Sequence, residues 1–193
     1  MMKKNIKSLL LSTVACLSLV SCVKDDDYAI PTIYEYLYKD GFETSWTDWT
    51  KVSVTGAQEW QLDTQYGNPG NCAKMSGFAS GNNVNEDWLI SPVIDLSSVD
   101  GALLSFQTAS KFSGNPLEVK ISTDYTSGDP TSATWTDVSG NLDLDTSNYV
   151  WTNSGNIDIS SFTGTNVRLA FKYTSTSSAS TTWEIDNIKI LKN

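Results

Sequence analysis

Histidine does not occur anywhere in the 193 residues. Its absence removes the commonest general base and the commonest transition-metal ligand together. Positive charge is also scarce, with 13 Lys and Arg against 22 Asp and Glu and a formal net charge of −9. Lys3, Lys4 and Lys7 fall in an expected leader, and their loss takes the balance to −12. No nucleic-acid partner is expected of such a chain, because binding a phosphate backbone rests on Lys and Arg neutralising it. The three cysteines form no disulfide framework: Cys16 lies within the leader, Cys22 closes it and Cys72 stands alone. No cationic pattern around Cys72 argues for a lowered pKa, so it reads as a small buried hydrophobe. Nucleophile motifs, phosphate loops and transition-metal spacings are missing as well.

What is present begins with a secretion signal. Met1 to Lys7 is basic, and Leu9 to Val20 is apolar but too short to span a bilayer. Leu19-Val20-Ser21-Cys22 resembles the lipobox of bacterial lipoproteins, which implies cleavage before Cys22 and lipid attachment to it. The expected organisation is therefore a signal peptide over 1–21, a flexible tether over 22–37 and one domain over 38–193. Asp25-Asp26-Asp27 behind the cysteine reads as a solvated run. It also resembles the acidic signal that sends some Gram-negative lipoproteins to the outer face. The expected location is the outer membrane, through the lipid anchor alone, with the domain facing the exterior.

The remaining residues, about 170, suit one domain with a single core. They are rich in Thr, Ser, Asn, Gly, Trp and Tyr, which favours short strands with polar turns. Glu86 to Leu96 carries the longest apolar run, with Trp88, Leu89, Ile90, Val93 and Ile94 on both parities of a strand. Such a strand buries both faces, and Pro92 makes the chain bend or change partner at Ser91-Pro92. Leu117 to Ser122 and Val167 to Tyr173 alternate cleanly as half-wet strands. Trp183 and Ile185 are apolar at odd positions, but Ile188 and Ile190 at even ones. One residue must be absorbed near Asp186-Asn187, which predicts a β-bulge. With about ten strands and no helical periodicity, the expected fold is all-β, a two-sheet antiparallel jelly-roll sandwich.

The ordered set Gly41-Phe42-Glu43, Trp60, Asp87-Trp88-Leu89-Ile90-Ser91-Pro92 with Ile94-Asp95-Leu96, Leu104-Ser105-Phe106, Val167 to Tyr173 and Trp183 to Ile188 resembles the cleaved-adhesin and choice-of-anchor J family. Those are jelly-roll domains of secreted and surface proteins, related in fold to the MAM domain and to several carbohydrate-binding modules. The resemblance implies adhesion or glycan binding without catalysis, and in many relatives a structural calcium near the two ends of the domain. Glu43 matches the acidic residue after the family's first-strand Phe, and Asp186 matches the aspartate of its last strand. The calcium ligands expected are Glu43 and Asp186, with Asp40 as a third; the alternative is solvated surface acids.

Three functions remain open. A glycan-binding module would stack sugars on exposed loop aromatics, for which Trp46, Trp49, Tyr66, Tyr125 and Trp151 are candidates, while Trp60, Trp88 and Trp183 are assigned to the core. A protein-binding adhesin or accessory subunit needs only an exposed apolar patch. A glycoside hydrolase would need two carboxylates, such as Asp143 with Asp145 or Glu86 with Asp87, but neighbours on a strand face opposite ways. The expected partner is thus a glycan or a host or surface protein, with the chain itself a monomer. Shaving intact cells with protease should remove the domain, and full protection would place it on the periplasmic side.

Overall fold

The computed structural model describes residues 35–193 apart from Ser45 and Thr47. The leader, Cys22 and nearly all of the expected tether lie outside the described residues. Twelve strands follow in order: β1 (Tyr36–Asp40), β2 (Thr50–Thr55), β3 (Gln61–Gly67), β4 (Gly70–Ser76), β5 (Asn85–Ile90), β6 (Ala102–Lys111), β7 (Glu118–Ser122), β8 (Thr136–Asp137), β9 (Thr152–Asn153), β10 (Ile157–Asp158), β11 (Arg168–Ser175) and β12 (Thr182–Lys192). The first strand starts at Tyr36, two residues inside the span read as tether. A 3₁₀ turn at Pro130–Ser132 is capped by the Asp129 side chain.

The strands form two antiparallel sheets, as expected of a jelly roll. One has seven strands, ordered β10-β6-β12-β4-β3, with β1 added to β12 and β9 to β6; the other has five, ordered β2-β5-β11-β7-β8. Phe42, Trp60, Phe106, Phe171, Trp183, Ile185 and Ile188 fill the space between them. Each such large apolar side chain contributes about 1.5–3 kcal/mol through its burial.

β5 buries both faces. Leu89 points into the main core, whereas Trp88 and Ile90 lie on the opposite face beneath Tyr125 and Trp135. The Trp88 and Trp135 rings are 5.1 Å apart, and those of Tyr125 and Trp135 5.4 Å. An apolar patch on the outer face must be covered, and the segment from Asp124 to Trp135 covers it. Regular strand pairing ends at Ile90, ahead of Pro92, and the chain does not change its partner. Ile90 pairs with Ala170 and Ile94 with Val167, a one-residue slip along the same β11 edge.

The predicted bulge lies where it was expected. Between Asp186 and Lys189 the register of β12 with β6 shifts, and Asn187 takes a left-handed φ of 53°. Before the bulge β12 pairs with β4 and after it with β1, so the extra residue marks the handover between two partners on one edge.

One buried group works against the fold. Asp87 is 1% exposed, and neither carboxylate oxygen has a hydrogen-bond partner. Burial first, then the charges of Glu59 and Glu86, push its pKa up to about 7; the cross-strand Ser53 hydroxyl opposes the shift without meeting hydrogen-bond geometry. A raised carboxyl pKa favours the fold while protonated. Its contribution is full below the ordinary value of 3.8 and is lost as pH rises through about 7, a loss on the order of 4 kcal/mol. Asp87→Asn should therefore flatten the fall in stability between pH 4 and 7.5. Denaturant titrations across that range check it, and parallel wild-type and variant curves would show that Asp87 does not titrate there.

Candidate functional site

Alternation along β12 sets the site. Trp183 and Ile185 point inward, so Glu184 points out from the seven-stranded sheet, opposite Lys74 on β4 and Ala109 on β6. Lys74 is in turn opposite Gln61 on β3. Its Nζ lies 2.9 Å from Asp63 Oδ2, 3.3 Å from Glu184 Oε1 and 5.3 Å above the Tyr66 ring. A second segment closes over this row. Asp143 is buried and accepts the amides of Ser110 at 2.7 Å and Val150 at 3.2 Å, while its own amide donates to Thr108 Oγ1 at 3.0 Å. With β9 paired to β6, these bonds hold residues 143–153 against the sheet. Tyr149 and Trp151, two residues apart, reach the same place as Tyr66. Tyr66, Lys74, Tyr149, Trp151 and Glu184 line a cavity of about 450 Å³.

The electrostatics of this cradle are closed on themselves. Burial pushes the Glu184 pKa up, and the Lys74 ammonium holds it back. Burial also works to raise Asp63, but the Gln65 amide, Lys74 and the Tyr66 amide together hold it below the usual range. Lys74 is held above its ordinary value by both carboxylates, which outweigh its burial. Two acids thus share one ammonium at the floor of an aromatic-walled cavity. That floor offers a donor and acceptors side by side, with no carboxyl free of the lysine.

The loop aromatics separate into three groups. Tyr66, 59% exposed, and the half-buried Trp151 meet in the cradle. Trp49 and Tyr125, expected as exposed loop aromatics, are instead buried, at 5% and 3% exposed, and cannot stack on a ligand. Trp49 packs 5.5 Å from Phe42 and donates to Asp40 at 2.8 Å, and Tyr125 is the cover over Trp88 described above. Trp46 is half-buried, edge-on to Phe42 and beneath the Lys51 ammonium, outside the cradle.

The candidate acid pairs do not assemble either. Asp143 is a buried anchor, whereas Asp145 is exposed and caps Ser147; Glu86 and Asp87 leave β5 on opposite faces. Sequence reasoning missed Tyr149, Lys74, Asp63 and Glu184. The Tyr-Val-Trp alternation at 149–151 could have found Tyr149. The other three meet only through long-range strand pairing. A second groove, of about 400 Å³, runs between Phe78 and Phe112, which are 60% and 56% exposed. Its lining polar groups are largely satisfied among themselves, as in the Ser180 hydroxyl to Asn82 and Asn82 to the Ser178 carbonyl.

The expected calcium ligands sit at the handover corner of β12. Asp186 is 1% exposed and accepts the Asn68 amide at 2.6 Å and the Asn187 amide at 2.5 Å. Its pKa is pushed up to about 6 by burial, with the Glu43 and Asp40 charges adding to the shift and the two amides opposing it. Glu43 accepts the Asn71 amide at 3.1 Å and lies over Gly70, where a Cβ would stand 2.3 Å from its oxygens. Asp40 is committed elsewhere: one oxygen takes the Phe42 amide at 2.7 Å and the other the Trp49 indole. Among the described residues no three Asp, Glu, Cys or His side chains gather as a metal cage. Asp40 therefore braces the aromatic corner. Glu43 and Asp186 remain, two mutually repelling carboxylates flanking the 68–71 turn, with both Asp186 oxygens held by backbone amides.

The domain of unknown function DUF5017 matches residues 70–193. No curated protein matches the chain. Among solved structures, the K3 cleaved adhesin domain of Lys-gingipain from Porphyromonas gingivalis W83 is similar at a TM-score of 0.61 and 12% identity, over 83% of this chain and 99% of that one. The K1 domain of the same protein gives 0.56 and 16%, over 81% and 98%. The K2 domain gives 0.53 and 17%, over 81% and 99%. The resemblance drawn from ordered motifs thus holds at the level of the fold.

Proposed function

This chain belongs to the DUF5017 family, and from that premise we propose that it is a non-catalytic binding module whose cradle takes carbohydrate. The observation that carries this reading is the meeting of Tyr66, Tyr149 and Trp151 around a paired donor and acceptor in one cavity. Sugar rings present apolar C–H faces that stack on aromatic rings, and hydroxyls that need both donors and acceptors. The commitment of Asp63 and Glu184 to Lys74 favours binding over hydrolysis, because neither acid is free to move a proton. A protein-binding role is the second reading, favoured by the exposed rings of Phe78 and Phe112. Phe112 holds its ring out at a left-handed φ of 70°.

A glycan array probed with the purified domain tests this. Tyr66→Ala and Trp151→Ala should each weaken the bound glycan by about 1 kcal/mol, roughly fivefold. Phe78→Ala should leave it unchanged. The reading falls if no glycan binds, or if binding survives loss of both cradle aromatics.

We further propose that Cys22 carries lipid and places the domain on the outer membrane, facing out, and that calcium binds between Glu43 and Asp186. Neutralising the repulsion at Asp186 is what the cation would supply. Calcium at one hundred times its dissociation constant should stabilise chelator-treated protein by about 2.7 kcal/mol. Glu43→Gln should abolish the gain, and a melting temperature indifferent to both calcium and chelator would overturn the site.

A further inference from the structure

The floor of the cradle says which sugars it can take. We propose that the site at Tyr66, Tyr149 and Trp151 selects neutral sugar residues and rejects those bearing a carboxylate, such as uronic or sialic residues. This rests on the carbohydrate reading above and narrows it. The cation lining the cavity is Lys74, and its ammonium is already held by Asp63 at 2.9 Å and Glu184 at 3.3 Å. The lining therefore carries one positive and one negative charge, with a second carboxylate, Asp63, bonded to the lysine from just outside it, within a chain of net charge −9. Glu184 is 2% exposed and cannot swing away to release the lysine. Lys111 is the next cation, but it lies outside the lining, 5.7 Å from the Tyr149 ring and 5.5 Å from Phe112.

A sugar carboxylate entering here would meet two fixed like charges for each available ammonium. In a partly desolvated cavity that repulsion is strong. A neutral sugar meets no such cost. Its hydroxyls can accept from the remaining proton of the partly exposed Lys74, while its C–H face lies on the rings. The carboxylates thus do two jobs: they fix the lysine as a hydrogen-bond donor and they cancel it as an anion receptor.

The test compares neutral oligosaccharides with uronate-containing counterparts of equal length by calorimetry. Wild-type protein should bind the acidic series at least about tenfold more weakly. Asp63→Asn lies near the surface and should narrow that gap by releasing Lys74. Glu184→Gln should narrow it too, with circular dichroism confirming its fold. Equal binding of both series by wild type, or a gap unmoved in Asp63→Asn, overturns the selectivity and leaves the carbohydrate reading standing. Binding of neither series overturns both.

Discussion

The structure depends on β12 pairing along both of its edges while changing phase once. Its N-terminal half lies between β6 and β4, and its C-terminal half between β6 and β1. A strand with apolar residues at odd positions and then at even ones cannot keep both halves in the core unless one residue is absorbed. Asn187 absorbs it, with its positive φ and its side chain bonded to Gln107 and the Asn68 carbonyl. An asparagine tolerates that backbone better than a branched residue would. Because the partner changes at the same point, the bulge also leaves Asp186 as the buried group around which the 68–71 turn is tied.

Much of this was legible in the chain itself. The phase change of the last strand and the two-faced burial of Trp88, Leu89 and Ile90 follow from local periodicity, and both are found. The number of short strands and the lack of helical periodicity led to the jelly roll, and the ordered motifs to the family it resembles. The candidate site was legible only in part, and the reason is physical. Whether an aromatic in a polar loop is exposed depends on what lies across from it. Tyr125 looked available, but the Trp88 face of β5 needed cover. Trp49 looked available, but it fills the end of the core beside Phe42. Glu184 and Lys74 are 110 positions apart and become neighbours only through the pairing of β12 with β4, which no local pattern encodes.

The acids of this chain divide by what surrounds them. Asp95, Asp124, Asp129, Asp145 and Asp158 are fully exposed and held low by serine or threonine hydroxyls and nearby amides, as turn-forming aspartates are. Asp87 and Asp186 are buried and held high. They oppose the stability of the fold above their raised pKa values, yet they stand in different relations to a ligand. Asp87 faces the interior without a partner and borders none of the cavities described above. Asp186 faces the outer side of the sheet with two amides aimed at it and a second carboxylate nearby. The same kind of strain is therefore uncompensated in one place and partly offset by two backbone amides in the other.

The cradle and the corner are not independent. Glu184 and Asp186 leave β12 on the same face, two residues and about 7 Å apart along the strand. Cys72 reports how closely the charges crowd. Burial first, and then Glu184, Asp63 and Asp186 in turn, push its thiol up, with Lys74 alone opposing them. One lysine is thus set against three carboxylates across β3, β4 and β12. A cation held at Asp186 would lower the negative potential felt at Glu184, and an empty corner would raise it. The charge at the corner therefore bears on a carboxylate of the cradle that it does not touch, through a strand that carries both acids on one face.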